Sequence, residues 1–403
     1  MSKPIQLARA LVPPLSPSLH KGQAGRLGVV GGSKDYTGAP FFCAMSAMRI
    51  GVDLAHIICE PKAGDAIKTY APDLIVHRVL AEDDPIEHIR TAIDDIVARL
   101  HVLVVGPGLG RDEHMQACAG AAISAARSRN IPLVIDADGL WYLNNHPESL
   151  TGYPNAIITP NVMEMKRLCG VLGIDQGVDA LEDGKVAKQV SQKLGGVTVL
   201  QKGAVDCITN GRHVLTVDAP GSLKRCGGQG DVLSGATGTM LAWGVVYANG
   251  IGSHKKIQVP HQDIELYAAY GAAAFTRECS RRTYADSGRM GVTRLFSLFI
   301  SCVPDGVSSG DLSDSVLEAQ FRLIASDPSY DAKVKKKLRA VLQSLCGENP
   351  HYSRFKQLYH YCGSGAQIKL IKIPPIELVY TKIFCTTETK DGGNAKERRR
   401  SIR

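Results

Sequence analysis

The sequence predicts an α/β domain in which helices cover both faces of a central, mostly parallel sheet. Through the first 290 residues, short runs rich in β-branched side chains alternate with longer stretches of helical periodicity, as in layered α/β domains. Several of the short runs are apolar at nearly every position, which is typical of strands buried on both faces of a parallel sheet. Hydrophobic residues make up 44% of the 403 residues and charged residues 21%, a composition that excludes a chain disordered throughout.

Six strands are predicted in this part of the chain. They are Arg26–Gly31, Leu54–Cys59, Val102–Val105, Leu133–Asp136, Ala156–Thr159 and Val197–Gln201. Ligands of such sheets bind beyond the carboxyl ends of the strands. The glycine-rich turns follow the predicted strands, so we expect the functional site at that edge of the sheet.

Seven helices are predicted between and after these strands. They are Pro40–Gly51, Pro85–Leu100, Glu113–Ser128, Asn161–Cys169, Ala180–Leu194, Asp231–Val246 and Gln262–Glu278. Near the start of the chain, Pro13, Pro14 and Pro17 would break an amphipathic helix.

The excess of positive over negative charge lies almost entirely in residues 291–403. Lys and Arg number 47 and Asp and Glu 39, for a net charge of +8. Residues 1–290 contain 29 basic and 28 acidic side chains, a net charge of +1, whereas residues 291–403 contain 18 and 11, a net charge of +7. A basic field that attracts nucleic acid is therefore not a property of the first 290 residues.

Targeting signals and cysteine usage favour the cytoplasm. No apolar run reaches the roughly 18 residues of a membrane span, and the first residues lack the apolar core of a secretory signal. An N-terminal stretch without acids before Asp35 leaves mitochondrial import as the alternative. The 11 cysteines contain no C-x-x-C pair, which indicates reduced thiols.

Residues 291–403 lack the alternation of strands and helices. Ala332–Leu345 has the pattern of a basic amphipathic helix, and Ile368–Phe384 is β-prone but interrupted by two prolines. Thr386–Arg403 is polar and charged and is expected to be disordered. Four possible zinc ligands, Cys346, His351, His360 and Cys362, match no common zinc spacing.

The strongest local signal is the segment Gly221–Gly235, GSLKRCGGQGDVLSG. Gly227, Gly228 and Gly230 precede Asp231, and a helical pattern follows at once. Glycines let backbone N–H groups approach an anion closely, and a helix N-terminus favours negative charge. Asp231 then has two interpretations: it accepts a proton from a hydroxyl while the amides hold a phosphoryl group, or it caps the helix.

Four weaker signals also follow predicted strands. In Gln201–Asp206 (QKGAVD) Lys202 is placed to reach a phosphate or lies in an ordinary surface loop, and Val104–Gly110 (VVGPGLG) suits either a flat ligand or a plain turn. In Asn161–Arg167 (NVMEMKR) Glu164 is either a capping-box residue or an outer-shell Mg²⁺ group. In Val134–Leu140 (VIDADGL), turn and cap roles account for Asp136 and Asp138.

Taken together, these segments resemble one family. The set consists of HKGQAGR (residues 20–26), VVGG (29–32), YTGAP (36–40), VVGPGLG, VIDADGL, TPNVMEMKRL, QKGAVD and GSLKRCGGQGDVLSG. Their order and spacing are similar to those of the ATP-dependent NAD(P)H-hydrate dehydratases, which belong to the ribokinase-like superfamily. The resemblance covers about residues 15–290 and ends where the chain becomes basic.

The resemblance implies a fold and an activity. The fold is a ribokinase-like three-layer sandwich over residues 15–290, with residues 1–14 as an N-terminal extension and 291–403 as an unassigned basic extension. The activity is dehydration of the S epimers of NADHX and NADPHX to NADH and NADPH, in which ATP and Mg²⁺ are used and ADP and phosphate are formed. A functional link to an NAD(P)HX epimerase and a homo-oligomer are also implied, with neither nucleic acid nor membrane as a partner of this domain.

The resemblance also assigns residues. Asp231 is the implied catalytic residue and contacts the substrate. The other implied substrate-binding residues are Gly108, Asn161, Val162, Met163, Glu164, Met165, Lys166 and Arg167. The implied ATP-binding residues are Lys202, Gly203, Ala204, Val205, Asp206, Gly221, Ser222, Leu223, Lys224, Arg225, Cys226, Gly227, Gly228, Gln229 and Gly230.

Two other functions are open on the sequence. One is a vitamin-precursor kinase of the same superfamily, which would release a stable phosphorylated product. The other is a non-catalytic binding protein that acts through the basic extension, although the intact GGQGD and KG segments argue against lost catalysis. The extension itself is either a genuine appended module or an altered C-terminal reading frame.

Overall fold

A computed structural model describes residues 2–14, 17, 19–175, 184–251 and 257–291, with the side chains of the last helix described as far as residue 285. Its centre is a nine-stranded sheet in the order β3-β2-β1-β4-β5-β6-β7-β8-β9. The strands are β1 Arg26–Val30, β2 Leu54–Ile58, β3 Ile75–His77, β4 Val102–Val105, β5 Leu133–Ile135, β6 Ala156–Ile158, β7 Thr198–Gln201, β8 Asp206–Thr209 and β9 Val214–Val217. The seven strands β1 to β7 run parallel to one another, and β8 and β9 add an antiparallel edge.

The six predicted strands are all confirmed, with ends that differ by one residue at most. Three strands were missed for local reasons. Strand β3 has only three residues, which are partly exposed, and β9 is largely exposed because it forms the edge of the sheet. Strand β8 begins at Asp206 directly after the KGAV turn, where the acid and the turn conceal the start of a strand.

Ten α-helices are described. They are α1 Lys3–Ala10, α2 Gly38–Ile50, α3 Pro61–Lys68, α4 Ile86–Val97, α5 Glu113–Ser128, α6 Asp138–Asn145, α7 Val162–Leu172, α8 Lys185–Lys193, α9 Gln229–Ala248 and α10 Ile264–Gly291. The seven predicted helices correspond to α2, α4, α5 and α7 to α10. The predicted start of α8 at residues 180–183, like the elements and zinc ligands predicted within residues 292–403, lies outside the described residues.

The expectation that prolines exclude a helix near the start of the chain is wrong. Helix α1 ends at Ala10, before Pro13, so the prolines limit its length and leave it otherwise intact. Leu7, Ala8 and Leu11 are buried in the same apolar cluster as residues of α9 and α10. Helix α1 is therefore part of the core.

Helices cover both faces of the sheet and divide the core into two apolar clusters. On one face, α1, α2, α9 and α10 pack over strand residues such as Val29 and Val104. On the other face, α4 to α8 pack over residues such as Val30 and Val105. Neighbouring residues of one strand point to opposite faces, so the near-continuous apolar strands fill both clusters, as the sequence predicted. No helix in the described part of the chain is long and apolar enough to span a bilayer.

Candidate active site

Polar and charged side chains from three separate segments meet at the carboxyl edge of the sheet. Asp136 follows β5, Lys202 follows β7, and Ser234 lies one turn into α9. Lys202 Nζ lies 2.8 Å from Asp136 Oδ1, and the Ser234 hydroxyl donates to the other oxygen of Asp136. Parallel strands place their carboxyl ends at one edge, which is why residues 66 and 98 positions apart in the chain come into contact.

Asp136 does more than the turn role that the sequence suggested. Its side chain is buried, at 2% exposure, and it forms the ion pair with Lys202. Burial by itself would raise the pKa of Asp136, but the Lys202 ammonium and the Ser234 hydroxyl hold that pKa below its ordinary value. Asp136 is therefore a buried anion that neutralises Lys202.

Asp138, two residues later, does have the predicted turn role. Its carboxylate accepts the Gly110 N–H at 3.0 Å and Arg111 Nε at 2.9 Å. It thereby fixes the turn after β4 against the start of α6. Gly106, at the beginning of that turn, has a φ of 126°, and a Cβ there would lie 1.8 Å from the Asp136 carbonyl oxygen. Only glycine permits the two turns to approach this closely.

Lys202 is a partly buried cation between two carboxylates. Burial alone would lower its pKa, but Asp136 and Glu164 raise the pKa above its ordinary value, so Lys202 stays charged. Glu164 Oε2 lies 3.9 Å from Lys202 Nζ. A charged lysine at this point is compatible with the phosphate-binding role predicted from the KG sequence, which stays a prediction.

Glu164 forms the capping box that the sequence left open. Its Oε2 accepts the Asn161 N–H at 2.7 Å, and Asn161 Oδ1 accepts the N–H groups of Met163 and Glu164 at 2.9 and 3.0 Å. Burial raises the pKa of Glu164. Capping does not exclude the outer-shell Mg²⁺ role of Glu164, which stays a prediction.

The other residues of the predicted substrate segment divide between surface and core. Val162 and Met163 are exposed although they are apolar, and Lys166 and Arg167 also face outward. Met165 is fully buried in the core, so its side chain supports α7 from inside. Gly108, with a φ of 61°, lies against Tyr36, Ala39 and Pro40, which places the YTGAP segment beside the VVGPGLG turn.

Asp231 lies in the first turn of α9 and does not cap the helix. The N-cap is Gly228, with a φ of 90°, so the capping interpretation of Asp231 is wrong. Burial raises the pKa of Asp231 to about 7, and the negative charge of Asp136 contributes in the same direction while Lys202 opposes it. A carboxylate with a pKa near neutrality is suited to accept and return a proton.

Two loops carry the predicted ATP-binding residues: the KG loop, residues 202–206, and the glycine loop, residues 221–230. A Cβ at Gly230 would lie 3.9 Å from Lys202 Nζ, so the two loops meet at the lysine. A Cβ at Gly227 would meet no atom of the described residues within 4 Å. The protein's own packing therefore does not demand glycine at that position, and the space suits a bound phosphate.

Comparison with known proteins identifies the family. Residues 27–298 match the family described as NAD(P)H-hydrate dehydratase. An ATP-dependent (S)-NAD(P)H-hydrate dehydratase of Mycosarcoma maydis is 49% identical over 293 residues, which are 71% of this chain and 83% of that protein. The chain belongs to the NAD(P)H-hydrate dehydratase family. The protein of the same name from Pongo abelii is 42% identical over 296 residues, or 73% of this chain and 85% of that one.

Solved structures confirm the ribokinase-like fold that the motifs predicted for the dehydratase. A ribokinase-like superfamily protein from Enterococcus faecalis superposes with a TM-score of 0.55 at 20% identity and covers 74% of this chain and 95% of its own. An ADP/ATP-dependent NAD(P)H-hydrate dehydratase from Bacillus subtilis, co-crystallised with ATP and Mg²⁺, superposes with a TM-score of 0.51 at 19% identity. It covers 74% of this chain and 97% of its own.

The carboxylates present in the dehydratase fit a magnesium ion that is held mainly by phosphate. The described residues contain no group of three or more His, Cys, Asp or Glu side chains that would form a metal site on their own. Mg²⁺ usually binds one or two carboxylates together with substrate phosphates and water. Glu164, which lies 3.9 Å from Lys202 Nζ, is the carboxylate that would serve such an ion from its outer shell.

Three residues of the site were missed in the sequence. They are Asp136, Ser234 and Arg277, and Arg277 contacts the KG loop and the Ala219 carbonyl from α10. Asp136 did carry a signal, since an acid ends a strand that is buried on both faces. Ser234 and Arg277 lie inside helical patterns, where nothing local distinguishes them from ordinary helix residues.

Proposed function

We propose that this dehydratase converts the S epimers of NADHX and NADPHX to NADH and NADPH at the expense of ATP, with Asp231 as the catalytic base. The observation that carries the proposal is the position of Asp231, in the first turn of α9 directly after the glycine loop. The charged Lys202 borders that loop at Gly230. A proton acceptor, backbone N–H donors and a cation thus converge where a phosphoryl group would be transferred.

The chemistry follows from the leaving group. Hydroxide leaves a carbon poorly, whereas phosphate leaves readily. The C6 hydroxyl of the hydrate attacks the γ-phosphorus as its proton passes to Asp231, and the bond to the β-phosphate oxygen breaks to release ADP. Phosphate then departs from C6 while the neighbouring ring carbon loses a proton, which restores the dihydronicotinamide double bond. This sequence explains why a dehydratase has the fold of a kinase.

The protein's own groups divide the work between the two substrates. The N–H groups at the start of α9 and Lys202 would hold the phosphoryl group that is transferred, and Mg²⁺ would supply further neutralisation of the phosphates when bound. The start of α7 and the turn at Gly108 would hold the hydrate. The exposed apolar side chains of Val162 and Met163 support this assignment, because they lie on the helix whose capping box contacts Lys202.

The decisive experiment is to incubate the protein with Mg·ATP and S-NADHX and to follow absorbance in the NADH band. We expect an ATP-dependent increase and one ADP per NADH. Absence of any ATP-dependent increase would contradict the proposal. A stable phosphorylated product without NADH would favour the vitamin-precursor kinase instead.

The pKa of Asp231 predicts a pH dependence of the reaction. The base works only when deprotonated, and its pKa is about 7, so kcat/KM should fall about tenfold per pH unit below that value. Asp136→Asn removes a negative charge that raises this pKa, so the acid limb should move to lower pH. The measurement is a pH profile of kcat/KM for both proteins. A limb that stays in place in the variant would contradict the assignment of the limb to Asp231.

The partner enzyme and the compartment are proposed from the family and the composition. An enzyme that accepts the S epimer leaves the R epimer untouched, so an epimerase that interconverts the two would supply its substrate. The cytoplasm is the proposed compartment because Cys43, Cys59, Cys118, Cys169, Cys207 and Cys226 are free thiols, as is usual in that compartment. Fractionation of cells that express the tagged full chain tests the compartment, with mitochondrial recovery as the contrary result.

A further inference from the structure

Helix α10 contacts the KG loop and the segment just before the glycine loop through a single side chain. Arg277 donates from Nε to Asp206 Oδ2 at 2.6 Å and from Nη2 to the Gly203 carbonyl at 2.9 Å, both in the KG loop. Its Nη1 donates to the Ala219 carbonyl at 3.1 Å, two residues before the glycine loop. The side chain is 14% exposed, so these bonds are largely shielded from water.

Asp206 closes the KG loop from the inside. Its second oxygen, Oδ1, accepts the Gly203 N–H at 2.9 Å, while Oδ2 pairs with Arg277. Both oxygens are thus engaged with the loop and its anchor. Arg277 also neutralises a carboxylate that would otherwise repel a nearby phosphate.

A second contact joins α10 to the glycine loop one turn later. Ser280 Oγ accepts the Ser222 N–H at 3.0 Å. Within the loop, Ser222 Oγ donates to the Lys224 carbonyl at 2.7 Å. Gln229 Nε2 donates to the same carbonyl at 3.3 Å. The glycine loop is therefore braced internally and attached to the same helix as the KG loop.

We propose that Arg277 is a positioning residue that holds the KG loop, and the segment that leads into the glycine loop at Ala219, in their ATP-binding geometry before ATP arrives. This inference rests on the proposed function, because it takes these loops to bind ATP. Loops already ordered in the bound geometry lose less conformational entropy on binding. The planar guanidinium reaches three acceptors at once, which the point charge of a lysine does not.

Arg277→Met is expected to raise the Kd and the KM for ATP about tenfold or more, since charge-assisted hydrogen bonds are the strong ones. The KM for S-NADHX should stay within about twofold of the original, because α7 and the Gly108 turn are not attached to Arg277. Arg277→Lys keeps a charge opposite Asp206 and gives up the carbonyl contacts, so its KM for ATP should be intermediate. A purely structural role would lower the melting temperature without separating the two KM values.

A matched control is Arg212→Met. Arg212 donates to the Gln262 carbonyl at 2.9 Å and lies 3.6 Å from Asp263, at the far end of β8 from the KG loop. This variant also removes an arginine that binds a backbone carbonyl and a carboxylate, and ATP affinity should be unchanged. Where Arg277→Met does not fold, Arg277→Lys and Ser280→Ala carry the test. Ser280→Ala should raise the KM for ATP by a few fold.

Calorimetric titration with Mg·ATP in the absence of hydrate separates this inference from the proposed function. An unchanged Kd for ATP in both Arg277 variants would overturn the positioning role without contradicting the dehydratase activity. Loss of affinity in these variants alone supports the role, even where NADH formation fails. A full chain that does not bind ATP overturns both.

Discussion

Asp231→Asn is expected to reduce turnover of S-NADHX by about 10²–10⁴-fold, the usual contribution of a positioned general base. Asparagine has nearly the same shape and accepts hydrogen bonds, but it does not take up the hydroxyl proton. The surrounding glycine loop and Lys202 are unchanged, so the Kd for ATP should stay within a few fold. The measurements are the rate of NADH formation and calorimetric titration with Mg·ATP.

Asp53→Asn provides the matched control for this variant. The Asp53 carboxylate accepts the N–H groups of Gly22 and Ala24 at 2.7 and 2.9 Å. Asp53 directly precedes β2 and so lies at the amino ends of the strands, away from the active site. It too removes a partly buried negative charge, and turnover should be retained. Full activity of Asp231→Asn would show that the carboxylate is dispensable and would assign proton transfer to another group.

Lys202→Met is expected to lower the free energy of unfolding by about 3–5 kcal/mol, because it leaves Asp136 buried without its counter-ion. The same change removes the cation that borders the glycine loop, so ATP binding and turnover should also be lost. Urea unfolding measures the first effect, and calorimetric titration with Mg·ATP measures the second.

The double variant Asp136→Asn with Lys202→Met separates the two effects. It removes both charges of the buried pair, and replacing a whole buried pair is often nearly neutral. Most of the stability should return while ATP binding remains lost. If the double variant is as unstable as Lys202→Met, lost packing explains the instability, and if Lys202→Met binds ATP normally, Lys202 does not contact the phosphates.

Much of the fold and the two loops of the site were predictable because they depend on local sequence pattern. The strands β1, β4 and β5 to β7 are short and apolar at almost every position, so their period and burial could be predicted without neighbours. The glycine loop and the KG loop stood out because glycines followed by a helix start indicate an anion site. The missed strands β8 and β9 differ: β8 is buried but begins with an acid and ends with a threonine, and β9 is the largely exposed edge strand.

Roles that depend on distant partners were not predictable. The local sequence left Asp231 open between a proton acceptor and a helix cap, since Asp is a favoured cap residue; the structure excludes the cap because α9 begins after Gly228 and Asp231 lies in its first turn. Asp136 looked like a turn residue because its partners, Lys202 and Ser234, lie 66 and 98 positions away. Its burial and its charge pairing exist only after the sheet has formed.

The sequence by itself therefore determined the α/β class, the six central strands, the family and the two loops that are proposed to bind ATP. These features are written in local periodicity and in glycine placement, which act over a few residues. Only the tertiary structure decided that Asp136 neutralises Lys202, that Asp231 has a pKa near 7, and that Arg277 and Ser280 attach the two loops to α10. The physical reason is that charge, burial and hydrogen-bond partners at this edge come from segments up to about a hundred residues apart, and parallel strands bring such segments together at their carboxyl ends.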